Sequence, residues 1–378
     1  PIGSVTDSGR FRVLDSGNVV ADMPVSILVD DCPLYDLEPV PPDRPIYGPA
    51  PAQLSVEASG EETLLALLGS ANLASRRPVF EQYDWIVQSR TVRRPDDADA
   101  AVLMLPDGSA LAVSIDGNGR RVACDPRRGA AEAVYECAAN LACVGAEPLG
   151  LTNCLNFGNP EKPHVAWQLT EAVGGLAEAC EQLGIPVVGG NVSLYNEAPS
   201  GPIFPTPVVG IVGKLPDGSR AGRLGFVAEG DLIAIAGPFS PSPNGSELAK
   251  LRGDAPVGPL PQLDEQPVRA AHEKVRDGVR AGALRNAHDI AEGGLAVAVA
   301  ECCIAGGIGA RIELPNGLDP FAEAPGRAFV VSGDVDALDG SLVIGRVGGS
   351  ELEIDGILRL SLERLRAAWD GGLATFVR

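Results

Sequence analysis

Residues 184–197 read GIPVVGGNVSLYNE. The first glycine follows residues 164–183, where apolar side chains recur at helical spacing, and glycine is the residue type that most often ends a helix. The β-branched run after it predicts a short buried strand that stops at Gly189 and Gly190. A loop dense in amide, hydroxyl and carboxylate side chains follows. This succession of helix, strand and polar loop is typical of an α/β layer.

The same alternation extends in both directions along the chain. Strands are predicted at 99–105 and 109–115, and a helix opens after Asp125, with a proline where the first turn tolerates it. A second α/β run begins near residue 226, with DLIAIAG as a strand, QPVRAAHEKVRDGVRAG and LAVAVAECCIAGG as helices, and GARIEL as a strand. We therefore predict two α/β domains, over residues 55–225 and 226–378.

The first fifty residues differ from this pattern. Residues 1–30 contain short strand patterns and no predicted helix, and an isolated hairpin is marginally stable in water. We expect residues 1–40 to be the tail of a preceding domain. Seven prolines between residues 33 and 51 then predict an extended linker, assigned to residues 41–54.

Composition restricts the classes of partner. A net charge of −20 argues against nucleic acid or an anionic membrane surface as the main partner, but backbone amides and a cation can still hold a phosphorylated small ligand. The eight cysteines form no C-x-x-C pair, which favours reduced thiols in a cytoplasmic protein. No stretch resembles a signal peptide or a membrane span.

Three polar segments are candidates for chemistry. They read TNCLNFGNPEKP at 152–163, GGNVSLYNE at 189–197 and NAHDIAEGGL at 286–295. Taken singly, each also fits an ordinary structural role: a turn, a tight surface loop, or a helix entry capped by Asp289. The common phosphate-loop and dinucleotide signatures are absent from the sequence, as is a serine-hydrolase elbow.

Together, these segments resemble the synthetase subunit of phosphoribosylformylglycinamidine synthase, an enzyme of purine biosynthesis. EQYDWIVQ, DGNGRR, NLACVGAEPL, CLNFGNPEKP, GIPVVGGNVSLYNE, PTPVVGIVG and AHDIAEGGLAVAVAE occur in the family's order. The resemblance covers the second half of a tandem duplication. It implies an aminoimidazole-ribonucleotide-synthetase-like N-terminal-type domain followed by a C-terminal-type domain, both of α/β class, after the strand tail of an earlier C-terminal-type domain.

The resemblance also implies the reaction. ATP phosphorylates the amide oxygen of formylglycinamide ribonucleotide, and ammonia derived from glutamine displaces the phosphate. Mg²⁺ is the implied metal. The implied partners are the N-terminal half of the synthetase, a glutaminase subunit and a small bridging subunit. The family's catalytic histidines belong to the first half, so no catalytic residue is assigned here. This chain alone is expected to lack turnover and to self-associate through apolar edges that the first half covers.

Residue by residue, the family pattern assigns Asn153 and Gly190 to ATP, Asn191 to magnesium and Ser193 to substrate. Asn153 stands where the family often has aspartate, so we expect a direct hydrogen bond to the nucleotide there. Five weaker candidates are the strand-ending Asp116, whose GNGRR continuation lacks the superfamily's threonine and lysine, together with Gly189, Glu197, His288 and Asp289. The last two are expected to be mainly structural, in a loop near the nucleotide.

Two alternatives stay open. The chain could be a non-catalytic half that holds a structural nucleotide and serves assembly with the glutaminase. It could also be a superfamily kinase that acts on selenide, thiamine phosphate or a hydrogenase precursor. The CLNFGNPEKP and GGNVSLYNE strings disfavour the kinase.

Overall fold

A computed structural model describes residues 1–32, 34–86 and 88–374. Pro33 of the proline-rich run, Val87 of the EQYDWIVQ segment and the last four residues lie outside the described part. The chain divides into two compact units, residues 1–38 and 39–378. The domain boundaries drawn from the sequence stay predictions.

The first unit is a hairpin with one short helix. Strands β1 (Arg10–Asp15) and β2 (Asn18–Pro24) pair antiparallel around a turn in which Ser16 and Gly17 have φ of 51° and 85°. The prediction of strands here is confirmed. The prediction that no helix follows is wrong, because α1 (Ser26–Val29) closes with a 2.7 Å hydrogen bond from Asp30 N to Ser26 O. Proline at the end of β2 lacks the N–H that would continue the ladder.

The second unit begins with two helices and a mixed sheet. In chain order, its first elements are α2 (Gly60–Leu68), α3 (Arg77–Phe80), β3 (Thr91–Arg93), β4 (Ala101–Met104), β5 (Ala110–Asp116), α4 (Gly119–Cys124), α5 (Pro126–Cys143), β6 (Glu147–Asn156), α6 (Pro163–Leu183), β7 (Val187–Ser193), β8 (Glu197–Ala198), β9 (Gly201–Pro202), β10 (Thr206–Leu215) and a 3₁₀ turn (Gly218–Arg220). Six of these strands form one sheet in the order β3-β4-β5-β10-β6-β7. Within it, only β6 and β7 pair in parallel.

The two long helices of this part begin and end as the sequence predicts. Asp125 caps α5 by accepting a hydrogen bond from Arg128 N, and Gly184 ends α6 at φ 67°. At Gly174 and Gly175, helix α6 approaches helix α5 closely. A Cβ atom on Gly175 would lie only 1.9 Å from Arg127 O, so α5 and α6 can pack closely at this position.

A second mixed sheet follows. Its elements are β11 (Leu232–Ala236), α7 (Glu247–Leu251), α8 (Glu265–Ala281), β12 (Asn286–Asp289), α9 (Gly294–Gly306), β13 (Ala310–Ile312), β14 (Phe329–Gly333), β15 (Leu342–Val347), β16 (Glu351–Ile354), β17 (Leu358–Ser361) and α10 (Leu362–Gly371). The strand order is β12-β14-β11-β15-β13-β16-β17. Leu64, Leu67 and Leu68 of α2 pack into the core of this second sheet, around α9.

Helix α5 joins the two sheets. It packs on the first sheet through β5 and β10 and on the second through β12 and α8. Its buried face carries two glutamates, Glu132 and Glu136, among alanine, valine and cysteine. The helix therefore places charged groups in the interior between the two sheets, where they need partners.

Of the eight cysteines, five are buried, in helices. Cys124 and Cys154 are half-buried and Cys32 is exposed, and Cys154 lies on a strand. Within the described residues, no helix is long and apolar enough to cross a bilayer.

Candidate functional site

The parallel pair β6 and β7 brings together the residues that the family pattern selects. Its register aligns Asn153 with Gly190, Cys154 with Asn191, and Asn156 with Ser193. A Cβ atom on Gly190 would lie 2.7 Å from Asn153 Oδ1 and 3.0 Å from Asn153 O. Glycine is therefore required at this position if the Asn153 side chain is to keep its place against the neighbouring strand.

Strand β7 corrects one expectation. The sequence predicts a buried strand that stops at Gly189 and Gly190, whereas the strand continues to Ser193 at the exposed edge of the sheet. Val188 is 74% exposed. The β-branched composition suggested burial, but β7 is an edge strand, and the described residues leave both Val187 and Val188 exposed. Asn191 on the same edge donates to Cys154 Sγ at 3.6 Å.

Two loops meet beyond the carboxyl ends of these strands. The loop after β6 contains Asn159 and Lys162, and the loop after β7 contains Glu197. One Glu197 oxygen accepts from Asn159 N at 3.1 Å, and both contact Lys162 Nζ at 2.7 and 2.8 Å. Hydrogen bonds from Lys162 and Asn159 lower the pKa of Glu197. Glu197 therefore holds the two loops together, and its role as a site residue stays a prediction.

Asp116 lies at the end of β5, as predicted, beside a large open cavity. The cavity measures about 670 Å³ and is lined by Gly117 and Gly119, by the cations Arg120 and Lys250, and by the acidic residues Asp116, Glu247 and Glu292, of which Glu247 pairs with Lys250 at 3.0 Å. Glycine backbone and basic side chains are the groups that hold phosphate in proteins. The weak candidate Asp116 thus belongs to a second potential ligand site, separate from the β6–β7 edge.

Several carboxylates surround Asp116 in the interior. Burial, followed by the charge of Glu292, raises the pKa of Asp116 to about 7. Burial and the neighbouring Asp116 also raise the pKa of Glu136 well above its usual range. Among the described residues, Asp116 Oδ2 and Asp289 Oδ2 are buried without a hydrogen-bond partner. Within the described residues, these carboxylates do not bring three ligand atoms within 4.8 Å of one another, so no metal is assigned to them.

The expectation for His288 and Asp289 is wrong in two respects. Both residues lie on the buried strand β12 and not in a loop, and α9 is preceded by Gly293, with no side-chain cap from Asp289. The NAHD segment pairs with β14 because its backbone continues the second sheet. Polar residues in the NAHD segment suggested a loop. The segment is a strand because its polar side chains are paired with charged groups in the interior, as His288 is with Asp99 and Glu301.

Both ring nitrogens of His288 are engaged. Nδ1 lies 2.8 Å from Asp99 Oδ1, and Nε2 lies 3.0 Å from Glu301 Oε2. Two carboxylate acceptors can both be satisfied only by an imidazolium ion. Burial alone would lower the pKa of His288, but Asp99 and Glu301 outweigh it and raise the pKa well above its usual value. Ligand atoms of Asp99, His288 and Asp289 do lie within 4.8 Å of one another, yet the imidazolium has no free lone pair for a metal.

The carboxylate cluster was largely missed by sequence reasoning. Glu136 sits in a helix that looks amphipathic, Asp99 lies in no motif, and Glu292 and Glu301 lie in the AHDIAEGGLAVAVAE segment but were not selected as candidates. One signal was available, since Glu132 and Glu136 fall at i, i+4 with the apolar positions of α5 and must therefore face inward. The partners of such residues come from distant parts of the chain, and only the fold reveals them.

Comparison with known proteins places this geometry in a family. Family models match "AIR synthase related protein, N-terminal domain" over residues 97–215 and "AIR synthase related protein, C-terminal domain" over residues 228–339. The chain belongs to the AIR synthase related proteins. The predicted fold, an N-terminal-type followed by a C-terminal-type domain of mixed α/β layers, is confirmed by these matches.

Within this family, the chain is similar to phosphoribosylformylglycinamidine synthase subunit PurL. It is 45% identical to PurL of Moorella thermoacetica over 97% of this chain and 53% of that protein. It also matches PurL in a solved structure of PurLQS from Thermotoga maritima, with a TM-score of 0.61 and 22% identity over 91% of this chain and 50% of that one. A structure of T. maritima PurL complexed with AMPPCP matches with a TM-score of 0.59 and 24% identity, over 91% and 50% of the two chains. The chain spans about half the length of the curated relatives it matches.

Proposed function

We propose that this chain is the second half of an ATP-dependent ligase that forms formylglycinamidine ribonucleotide from formylglycinamide ribonucleotide and glutamine-derived ammonia. The observation that carries the proposal is the parallel register of β6 and β7. That register sets the proposed ATP residues Asn153 and Gly190 side by side, with Asn191 and Ser193 next along the same strand. The residues proposed for nucleotide, metal and substrate thereby lie within four positions of one edge strand, at Gly190, Asn191 and Ser193.

In this proposal, the residues of this chain bind and orient the reactants. Gly190 lets the nucleotide approach the backbone, Asn153 donates or accepts a hydrogen bond at the nucleotide, and Ser193 does the same at the substrate. The γ-phosphoryl group of ATP moves to the substrate's amide oxygen. Ammonia then bonds to the carbon while the C–O bond to phosphate breaks. Precise placement of the reacting groups is the main source of rate in such transfers.

Magnesium fits the β6–β7 edge only in part. Asn191 offers one amide oxygen there, and the described residues hold no group of three or more His, Cys, Asp or Glu side chains around it. One oxygen ligand is too few for a bound Mg²⁺, which takes six. Mg²⁺ supplies charge neutralisation at the transferring phosphate. We therefore assign Asn191 as a single ligand and expect the remaining ligands from the nucleotide, water and the other half of the synthetase.

An apolar sheet face supports the need for that other half. The sheet face formed by β5 and β10 away from α5 carries the exposed side chains of Val113, Ile115 and Val212, and the edge strand β7 beside it also exposes Val187, Val188 and Val192. Ile115 is 71% exposed. A contiguous apolar face of this kind typically marks a protein interface. The face adjoins the proposed site, so the partner that covers it can also complete the site.

Reconstitution tests the proposal. The chain is mixed with a first half from the same family, formylglycinamide ribonucleotide, ATP, magnesium and ammonia, and amidine formation is followed. We expect turnover in the mixture and none with either half alone. Asn191→Ala and Ser193→Ala should each reduce the rate about tenfold or more. Asn244→Ala is the matched control, because its amide donates to Pro259 O at 2.9 Å in the second domain. Unchanged turnover in both site variants would refute the assignment of this edge.

The cavity beside Asp116 favours a second candidate, a structural nucleotide. Arg120 and Lys250 supply cations there, and Gly117 and Gly119 supply an accessible backbone. Equilibrium binding of ATP to this chain alone separates the two candidates, since this cavity is built within the chain. Binding that is weakened about tenfold by Lys250→Met but unaffected by Asn153→Ala would place a nucleotide in the cavity. No binding by the chain alone would remove this candidate.

A further inference from the structure

The side chain of Asn196 helps to fix the turn that follows Ser193 at the end of β7. Its Nδ2 atom lies 3.1 Å from Phe157 O, 2.9 Å from Ser193 O and 3.1 Å from Ser193 Oγ. Backbone carbonyls only accept hydrogen bonds, so the two carbonyls fix the orientation of this amide. The NH₂ group has two N–H donors for these three acceptors, so one N–H is shared between Ser193 O and Ser193 Oγ, and Ser193 Oγ accepts on that side.

The backbone around Asn196 reinforces this arrangement. Phe157 N donates to Ser193 O at 3.0 Å, Asn196 N to Phe157 O at 3.1 Å, and Tyr195 N to Gly158 O at 3.0 Å. Tyr195 has a φ of 61°, a conformation that side-chain-bearing residues rarely adopt. The surrounding structure must stabilise such a residue. The side chain of Asn196 bonds to both segments at this turn, in addition to the bonds that Glu197 and Tyr195 make between the loops.

We propose that Asn196 is a positioning residue for the ligase reaction: its amide holds the Ser193 hydroxyl in the orientation in which it meets the substrate. This inference rests on the proposed function, because it requires that the Ser193 hydroxyl contacts the substrate. The hydroxyl oxygen accepts from Asn196 Nδ2, which leaves the hydroxyl hydrogen available for an acceptor on the substrate. Asn196 Oδ1, at 3.4 Å from Ser193 Oγ, is the weaker alternative acceptor.

Asn196→Asp tests the donation with little change of size, because it replaces the NH₂ group with an oxygen. In the reconstituted synthetase, we expect KM for formylglycinamide ribonucleotide to rise about three- to tenfold, the loss of roughly one hydrogen bond. KM for ATP should change less than twofold. Ser193→Ala should act in the same direction, and the double variant should be no worse than the more severe single one.

Asn159→Ala is the matched control. Its side chain accepts from Glu161 N at 2.9 Å within the same pair of loops and does not bond to Ser193. If Ser193→Ala raises KM for the substrate while Asn196→Asp resembles Asn159→Ala, the inference is overturned and the proposed function stands. If Ser193→Ala changes nothing, the assignment of Ser193 fails, and the role of Asn196 fails with it. A parallel rise in KM for ATP and substrate would show a merely structural role.

Hydrogen exchange gives a readout that needs no turnover. In this chain alone, Asn196→Asp should speed exchange at the amides of Phe157, Tyr195 and Asn196, which bond across the two loops. Asn159→Ala should leave the exchange of these amides unchanged. Equal exchange in Asn196→Asp and the unmodified chain would overturn the claim that this amide orders the loop.

Discussion

Glu132 on α5 is the residue whose substitution we expect to be most damaging to the arrangement of the two sheets. Its side chain is 2% exposed and pairs with two buried arginines from different parts of the chain. Oε2 contacts Arg121 Nε at 2.7 Å and Oε1 contacts Arg121 Nη2 at 3.1 Å. Oε1 also accepts from Arg327 Nη2 at 2.6 Å. Glu132→Gln removes the charge that both arginines share.

The two arginines differ in the partners that remain to them after Glu132→Gln. Arg121 retains Glu323 at 3.3 Å, but Arg327 retains only the carbonyl of Pro261, and its Nε and Nη1 atoms already lack partners among the described residues. Removing one partner of a buried ion pair costs about 3–5 kcal/mol, because the remaining charge stays buried and unpaired. We expect Glu132→Gln to lower the free energy of unfolding by that amount. Glu132→Met combined with Arg327→Met should cost less than Glu132→Met alone, since one of the two stranded charges is removed.

Urea unfolding measures this effect as a shift of the midpoint at constant slope. Glu171→Gln is the control, because Glu171 is 32% exposed and pairs with Arg127 at 3.4 Å on the surface. Exposed pairs of this kind contribute about 0–1 kcal/mol. If the loss of unfolding free energy in Glu132→Gln is within about 1 kcal/mol of the loss in Glu171→Gln, the buried arginines do not depend on the charge of Glu132, and the reasoning is refuted.

Three further predictions concern the site and its surroundings. Gly190→Ala should weaken ATP binding to the reconstituted synthetase about tenfold or more, because the added Cβ would lie 2.7 Å from Asn153 Oδ1. Gly189→Ala, which meets only an atom at 3.8 Å, should bind as the unmodified protein does, and equal binding by both variants would contradict the steric argument. His288 has a raised pKa in the folded state, so its contribution to stability is fully present below its unfolded pKa and is lost as pH rises through the higher folded value. The stability lost in His288→Gln, from urea unfolding, should therefore be larger at pH 6 than at pH 10, and a pH-independent loss would oppose this. Ile115→Lys should reduce self-association of this chain in light scattering, and unchanged association would show that the exposed sheet face is not the contact surface.

Local sequence signals predicted the elements of the fold well. Asp125 before a proline marked the start of α5, and Gly184 marked the end of α6, because capping and left-handed glycine act over one or two residues. The β7 strand shows where such signals stop. Its Val187 and Val188 are typical of a buried strand, yet they are exposed in this chain. Apolar composition indicates that a surface is suited to burial, but it does not show whether the same chain or a partner buries it.

The β6–β7 site and the interior cluster differ in how far the sequence revealed them. Asn153 and Gly190 were selected by a family pattern, and their adjacency follows from parallel pairing that helix α6 makes possible. The pairing of His288 with Asp99 and Glu301 was not predicted. Asp99 and His288 are 189 residues apart, and neither sits in a motif that requires the other. Charges that pair across sheets leave no periodic trace in the sequence, so only the geometry identifies them.

The exposed edge and the incomplete metal site have one physical explanation. A cation held by Asn191 alone would keep most of its water, and ATP on an open strand edge would remain solvated, so neither would be positioned for phosphoryl transfer. Covering the apolar face beside β7 excludes water and can bring the missing oxygen ligands to the same edge. The same association event then both buries the apolar face and completes the site. A chain with this surface should therefore bind its nucleotide productively only as it binds its partner.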